Sequence, residues 1–332
     1  MAVTMADVAR LAGVSKATVS RALAHSPLVS EATRERVLDV VARSGYRINR
    51  NAQRLRERRT NAIAVVTELI TAPAHLNAAP SVSYTLLSDT VRALAMREQA
   101  VLLLPADAAS LPKCQGLLAE KSVDGFVFLK SRDKVLLNRL HALKIPFVAW
   151  DDDQGQESYC AVTGAAGRAG RLAGRHLADL GCTSILFIHA TQDTLAAARL
   201  TGLSAGLKSR GCKETLQNLA VEDSSPFGVC TVVREQRKTL AAVDAIVASG
   251  ESCTLGVAWA GDLSGPPFGN RVAVVGFGTV GLSERMPARV VAVEQGVAEA
   301  GGLLVEKLMA RLEGISPVRT ALPVYLRRGA MN

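Results

Sequence analysis

The sequence predicts a small, basic, all-α head, a short linker and a larger α/β body with two parallel-sheet subdomains. Positive charge is concentrated at the N-terminus: residues 1–60 carry a net charge of +7, out of +9 for the 332-residue chain. A helix–glycine–helix pattern occupies the same segment. From residue 61 onward, apolar runs alternate with helical patterns. That alternation is typical of parallel strands joined by helical crossovers.

Composition excludes several classes of protein. The hydrophobic fraction of 48% excludes a disordered chain. No apolar stretch approaches the roughly 20 residues of a membrane span, and the N-terminus lacks the layout of a signal peptide. The cysteines form no closely spaced pair, which predicts reduced thiols in the cytoplasm. The histidines have no metal-binding spacing, and no catalytic motif is present. We therefore expect no catalytic residue, cofactor, metal site or membrane partner.

Three short helices are predicted over residues 4–45. Thr4 and Asp7 form a capping box at the start of the first helix, and Gly13 ends it. Ser15 is a natural N-cap for the second. Apolar side chains on the three helices are expected to form one small core: Val14, Val19, Leu23, Val37, Leu38, Val41 and Tyr46. Helix, glycine turn and helix form the helix-turn-helix signature, which many small bundles share.

A resemblance to the LacI/GalR family of transcriptional regulators is carried by the string MADVARLAGVSKATVSRALAHSPLVSEATRERVLDVVARSGYRINRNAQRL. The likeness is close over the head and looser over the rest of the chain. It implies a sequence-specific DNA-binding regulator, with repression favoured. Such a protein binds a palindromic operator as a dimer under the control of a small-molecule effector.

The resemblance also assigns DNA contacts in the head. The helix that follows Ser15 is expected to enter the major groove, where Lys16, Ala17 and Arg21 contact base edges. Arg and Lys suit the acceptors of guanine, whereas alanine offers apolar contact, for example to a thymine methyl. Candidate contacts to the phosphate backbone are Ser15, Thr18 and Ser20, and Thr4 is a further candidate DNA contact. Without the motif, the basic side chains would be interpreted as a solvated face.

The linker, residues 47–60, is rich in arginine and poor in apolar side chains, so by itself it is expected to be solvated and frayed. The resemblance implies a hinge helix that becomes ordered on DNA. Its leucine, here Leu55, is inserted into a base step from the minor groove. The DNA contacts implied for the linker are Asn49, Asn51, Ala52 and Leu55. Ile48 departs from the family pattern, since many members have proline there.

The body contains too many strand-like runs for one sheet, so two subdomains with a ligand cleft between them are expected. The runs lie at 62–66, 100–104, 123–129, 146–150, 184–188, 244–248 and 271–277. Helix candidates lie at 84–98, 112–121, 133–142, 165–180, 194–210 and 297–313. The resemblance implies a fold like that of periplasmic sugar-binding proteins. The predicted division is a head at 1–46, a first subdomain at 61–161 plus 294–320, and a second at 162–293 plus 321–332.

A literal GxGxxG motif, residues 276–281, directly follows a predicted strand. A dinucleotide site needs a helix after this motif to hold the pyrophosphate. Pro287 and a new strand from Arg289 leave no room for one. We therefore interpret the motif as a glycine-rich loop of the cleft.

The cleft is expected to bind its ligand through Arg199, which matches a ligand-binding arginine of the family. Polar and acidic residues frequent in the family are replaced here by small ones at Gly164–Ala165, Ser249–Gly250 and Gly278–Thr279. An arginine without nearby carboxylates favours an anionic ligand, as in the branch that responds to gluconate and related sugar acids. A sugar remains open, as does a degenerate cleft that binds nothing. The predicted effector contacts are Arg199, Trp150, Asp151, Ser249 and Gly278, with Asp152, Asp153, Glu222 and Trp259 as further candidates.

Two other functions compete with a regulator. A stand-alone binding protein of periplasmic type would explain the body, but not the basic head or the lack of a signal peptide. An enzyme with an accessory head rests only on the GxGxxG motif. The C-terminus carries no heptad repeat, which predicts a homodimer rather than a tetramer.

Overall fold

The computed structural model describes most of the chain: residues 3–23, 26–46, 59–70, 81–129, 133–151, 158–236, 240, 242–263, 272–279, 283–285 and 290–330. It has two compact units, Met1–Thr60 and Asn61–Asn332, called here the head and the body. Within the described ranges, no helix combines the length and the apolar character needed to cross a bilayer.

Three helices form the head: α1 (Met5–Ala12), α2 (Lys16–Leu23) and α3 (Glu31–Ser44). Thr4 caps α1 through the predicted capping box with Asp7, and Gly13 ends the helix with a φ of 65°. The buried core includes Val8, Ala12, Val19, Ala22, Val37 and Tyr46. The prediction that Leu38 belongs to this core was wrong, since the residue is 39% exposed. One residue is about 100° around a helix, so Val37 points inward while Leu38 points to solvent.

The body alternates strands and helices. Its strands are β1 (Ala62–Thr67), β2 (Ala100–Pro105), β3 (Gly125–Leu129), β4 (Phe147–Asp151), β5 (Ala161–Thr163), β6 (Ser184–Ala190), β7 (Thr215–Val221), β8 (Ala245–Ser249), β9 (Ala273–Thr279), β10 (Val290–Gln295), β11 (Thr320–Ala321) and β12 (Val324–Arg328). Its helices are α4 (Ser81–Ala95), α5 (Leu111–Ala119), α6 (Lys134–Ala142), α7 (Ala166–Asp179), α8 (Ala196–Lys208), α9 (Pro226–Glu235), α10 (Glu251–Leu263) and α11 (Ala300–Leu312).

The strands form two six-stranded sheets. The first has the order β11-β5-β4-β3-β1-β2, and its strand pairs are parallel. The second has the order β12-β10-β9-β8-β6-β7, in which only the edge strand β12 is antiparallel to its neighbour. Each sheet has a hydrophobic cluster on either face. This is why β1, β3 and β8 are buried along their whole length and lack polar alternation.

The chain passes between the two sheets three times. It leaves the first sheet after Thr163, returns after Gln295 through α11, and crosses again after Ala321. Helix α11 packs on the first sheet although it follows a strand of the second. The residue boundaries predicted for the two subdomains of the body remain a prediction.

Some elements of the body were not anticipated from the sequence. Helix α9 begins with Pro226 and is capped by Ser225, whose Oγ accepts a hydrogen bond from the Gly228 N–H at 3.0 Å. Helix α10 packs against α9 and the second sheet, and its exposed face is narrow. A helix that is apolar on most sides lacks the amphipathic stripe by which helices are recognised.

Candidate nucleic-acid interface and ligand cleft

The outer face of α2 carries the predicted base contacts. Ser15 caps the helix, since its Oγ accepts a hydrogen bond from the Thr18 N–H at 3.0 Å. Val19 and Ala22 are buried against the head core. The opposite face therefore exposes a short row of side chains: Lys16, Ala17 and Arg21. A helix presenting two cations and a methyl group on one face has the chemistry of major-groove recognition.

The other predicted DNA contacts of the head, Thr4 and the three phosphate contacts, differ in their local roles. The Thr4 hydroxyl hydrogen-bonds to Asp7 Oδ2 at 2.7 Å. Hydrogen bonds from the side chain and backbone of Thr4 hold the pKa of Asp7 below its usual value. Ser15 Oγ lies 2.9 Å from Thr18 Oγ1, and Ser20 is half-buried. The predicted linker contacts lie outside the described residues: Asn49, Asn51, Ala52 and Leu55.

A cavity of about 260 Å³ lies between the two sheets of the body. Its walls are formed at the carboxyl ends of strands from both sheets. The loops that follow these strands expose backbone groups and polar side chains to the cavity. All five predicted effector contacts line it: Trp150, Asp151, Arg199, Ser249 and Gly278. Gly164 and Ala165 also line it. Trp259 is instead 43% exposed on α10, Glu222 is exposed after β7, and Asp152 and Asp153 lie outside the described residues.

Arg199 is held on three sides. Its Nη1 donates to Asp193 Oδ2 at 3.2 Å and to Ser249 Oγ at 3.0 Å. Ser249 Oγ in turn donates to the same Asp193 oxygen at 2.7 Å. The guanidinium also lies over the Phe277 ring, 5.1 Å from its centroid. A charge this deeply buried is stable because a carboxylate faces it.

This ion pair contradicts one prediction from the sequence. We expected Arg199 to have no nearby carboxylate, because small residues occupy positions 249–250 and 278–279. The carboxylate is supplied instead by Asp193, from the loop between β6 and α8. The prediction that Arg199 is uncompensated was therefore wrong, and its charge gives no reason to favour an anionic ligand.

Asp151 has charged partners as well. It ends β4 and is buried, and its Oδ2 accepts hydrogen bonds from Tyr159 Oη at 2.8 Å and Arg319 Nη2 at 3.3 Å. Lys134 Nζ lies 3.5 Å from Oδ1. The carboxylate lines the cavity, but its charge is already compensated by these two cations.

Gln295 ends β10, at the second crossing between the sheets. It is 5% exposed and lines the cavity, and its buried Nε2 has no hydrogen-bond partner among the described residues. A Cβ on Gly164 would stand 2.9 Å from Gln295 Oε1 and 3.3 Å from the Trp150 ring. Glycine at 164 therefore leaves room for both side chains. A buried amide without a partner in a cavity is suited to a polar ligand.

The glycine-rich motif forms part of the same wall. Strand β9 runs into it, and the described residues between β9 and β10 form one short 3-10 turn, Ser283–Arg285. A Cβ on Gly276 would lie 2.1 Å from the Thr254 side chain, so this glycine allows α10 to pack on the strand. Burial raises the pKa of Cys253, in the same wall, to about 12, and its thiol is protonated at neutral pH.

Several residues of the cavity were not predicted from the sequence. Asp193 and Gln295 matter most, and Glu251 and Phe277 also line it. Asp193 could have been suspected, because it follows the carboxyl end of an apolar strand at the same sheet edge as Ser249. Gln295 could have been suspected on the same ground, because it ends β10, a strand that the sequence predicts from Arg289 onward.

The chain is similar to known bacterial regulatory proteins. Residues 4–49 match the family described as bacterial regulatory proteins, lacI family. The HTH-type transcriptional regulator CelR of Thermobifida fusca is 30% identical over 331 residues, which cover 97% of this chain and 96% of the relative. A solved CelR–cellobiose complex is 26% identical, with a TM-score of 0.65 and coverage of 98% and 99%.

The lac repressor dimer bound to operator and the anti-inducer ONPF has a TM-score of 0.79, with 22% identity and 99% coverage of each chain. At that identity the likeness shows the fold alone. The CelR relative covers almost the whole chain at 30% identity, and the head matches the family directly. The chain therefore belongs to the LacI family of bacterial regulatory proteins and is a transcriptional regulator.

Proposed function

We propose that this chain is a cytoplasmic repressor that binds a palindromic operator in double-stranded DNA as a homodimer and responds to a small effector in its cleft. The observation that carries the DNA-binding part is the outer face of α2. Lys16, Ala17 and Arg21 are exposed there, while the opposite face of the same capped helix is buried in the head core. Two heads on one dimer would occupy adjacent half-sites.

The linker contributes a second type of contact in this proposal. Leu55 inserts between base pairs from the minor groove, flanked by Asn49, Asn51 and Ala52, and so bends the duplex. Leu55→Ala should weaken operator binding and reduce the bend, as measured by gel shift and by circular permutation of the operator. Unchanged affinity and bending would contradict the proposed insertion of Leu55 between base pairs.

The homodimer is supported by exposed apolar side chains on the body. Strand β2 lies at the edge of the first sheet, where Leu102 and Leu103 are 39% and 46% exposed. Phe227 on α9 is 74% exposed, and Trp259 lies on the neighbouring helix α10. Exposed apolar groups of this size favour burial against a partner. A second copy is the partner that we propose, since the lac repressor of similar fold was solved as a dimer.

The effector is proposed to be a sugar or a sugar acid. An aromatic side chain, Trp150, stands beside polar groups in a cavity of about 260 Å³. The amide of Gln295 supports a polar ligand, because its buried Nε2 lines the cavity and has no hydrogen-bond partner among the described residues. The CelR relative was solved with cellobiose, which also supports a carbohydrate.

Control by the effector is proposed to be a shift between two arrangements of the body. The cavity receives side chains from both sheets, so a ligand can favour the arrangement that closes them around it. The ligand moves the equilibrium only by the difference between its affinities for the two states. The paired linkers would then become more or less able to order on the operator.

The experiment that tests DNA recognition is selection of a random duplex library with the full chain at about 0.15 M salt, which suppresses non-specific phosphate contacts. We expect a palindrome to be enriched, with G·C pairs at the positions facing Lys16 or Arg21. Lys16→Ala should relax the preference at one position of each half-site. Absence of any enriched sequence would contradict the proposal and leave a ligand-binding protein with a non-specific basic head.

A further inference from the structure

We propose that Asp193 determines the specificity of the cleft by excluding anions, so that the effector is an uncharged polyhydroxylated molecule and not a sugar acid. This inference rests on the proposed function of the cavity as an effector site. It narrows the class of ligand that the cavity accepts, and it assigns that choice to Asp193, a residue that was not among the predicted effector contacts.

The carboxylate of Asp193 is fixed through both oxygens. Oδ1 accepts a hydrogen bond from the Leu195 N–H at 2.9 Å. Oδ2 accepts from Ser249 Oγ at 2.7 Å and from Arg199 Nη1 at 3.2 Å. The loop and the neighbouring strand thus hold a negative charge at the wall of the cavity, where it cannot turn away from an incoming ligand.

Arg199 is equally constrained. Its side chain is 8% exposed and that of Asp193 is 15% exposed. Moving the guanidinium toward an anionic ligand would weaken its bonds to Asp193 and Ser249 and displace it from the Phe277 ring. Separating a buried ion pair leaves a charge without compensation, which is strongly unfavourable. An anion would also meet the Asp193 carboxylate at short range.

The other charged groups of the cavity wall give no additional attraction for an anionic ligand. Among the described lining residues, the acidic ones are Asp151, Asp193 and Glu251, and the one cation is Arg199. Asp151 pairs with two cations, Lys134 and Arg319, and Glu251 adds a further negative charge, so these groups together with Arg199 and Asp193 carry no net positive charge. Hydroxyl groups donate to carboxylates and accept from a guanidinium or an amide. A polyol therefore matches every polar group of the wall, including Gln295.

The test is calorimetric titration of the full chain at constant ionic strength with aldoses and their aldonic acids: glucose and gluconate, galactose and galactonate, xylose and xylonate, cellobiose and cellobionate. Three proteins are compared: the wild type, Asp193→Asn and Asp179→Asn. Asn has nearly the same shape and removes the charge: its one oxygen can still accept from the Leu195 N–H, and its NH2 group takes the place of the oxygen that faces Arg199 and Ser249. Asp179 is the matched control, because its carboxylate pairs with Arg210 on the surface at 3.3 Å.

We expect the wild type and Asp179→Asn to bind no aldonate more tightly than its aldose. Asp193→Asn should gain affinity for at least one aldonate by roughly tenfold or more, the effect of removing one close like charge. Asp193→Ser serves if the Asn variant fails to fold, as judged by circular dichroism. A wild type that prefers an aldonate would overturn the inference. So would folded Asp193 variants without a gain in aldonate affinity, and so would the absence of binding in every titration. Operator selection is measured without ligand, so failure here leaves DNA recognition standing.

Discussion

A Cβ atom on Gly170 would stand 2.1 Å from the carbonyl oxygen of Arg199, so α7 and α8 touch through their backbones. The contact is reciprocal: a Cβ on Gly202 would lie 2.1 Å from the Gly167 carbonyl oxygen. Helices can approach this closely only where both faces lack side chains. The backbone that carries the cleft arginine is therefore positioned by glycines of another helix.

Gly170→Ala should force the two helices apart. Overpacking of this kind lowers the free energy of unfolding by about 1–3 kcal/mol. Displacement of Arg199 should also weaken its ion pair with Asp193. Urea denaturation measures the stability change. The matched control is Gly116→Ala in α5, where nothing lies within 4 Å of the added atom. That variant should be more stable by about 0.5–1 kcal/mol, the intrinsic preference of a helix for alanine. Equal effects of the two substitutions would contradict the backbone contact.

Arg21→Ala should relax operator specificity at one base pair of each half-site by about 1–3 kcal/mol, because the exposed guanidinium is expected to bind guanine. Competition between the selected operator and single-base variants measures it. Arg43 is the control: it is an exposed arginine on α3, paired with Asp39 at 2.9 Å. Arg43→Ala should leave the base preference unchanged. A uniform loss of affinity across all sequences for Arg21→Ala would make this residue a phosphate contact.

Leu103→Arg should weaken the homodimer by roughly tenfold or more, since an apolar contact would be replaced by a buried charge. Analytical ultracentrifugation over a concentration series measures the dissociation constant. Leu143 is 51% exposed just after α6 and provides an exposed leucine away from the edge strand β2. Leu143→Arg should leave the dimer intact. If Leu103→Arg dimerises like the wild type, the proposed interface is wrong.

Asp244→Asn should lower stability at neutral pH and not in acid. Oδ2 of Asp244 accepts hydrogen bonds from the backbone N–H groups of Thr183 and Ser184, which hold the pKa of the carboxyl below its usual value. A lowered folded-state pKa stabilises the fold above the unfolded-state pKa, and this contribution is lost as the pH falls through the folded value.

The loss for Asp244→Asn at pH 7 should stay below about 1 kcal/mol, because the group is exposed and screened. Urea titrations of variant and wild type should converge as the pH drops below about 4. Asp107→Asn, which changes an acid on a short 3-10 turn, controls for the change in net charge. A difference between Asp244→Asn and wild type that is independent of pH would contradict the role of the charge.

Much of the architecture follows from local patterns. The capping box at Thr4, the glycine after α1 and the cap at Ser15 act over three or four residues, so the head helices could be predicted from the chain alone. Most of the buried parallel strands could be predicted as well, because their apolar runs need no partner to be recognised; the three-residue strand β5 was not predicted. Helix α10 could not, since its apolar residues cover most of its circumference and form no stripe.

The positions of the cleft residues along the chain were also recognisable, because they follow strands whose carboxyl ends meet at one edge. The balance of charge among these residues could not be recognised from the sequence. Asp193 and Ser249 are 56 residues apart, and they meet only because β6 and β8 are neighbours in the second sheet. Electrostatic energy depends on distance in space, not along the chain. Residue types and local periods therefore specified the elements and the family, while sheet order decided which carboxylate faces Arg199.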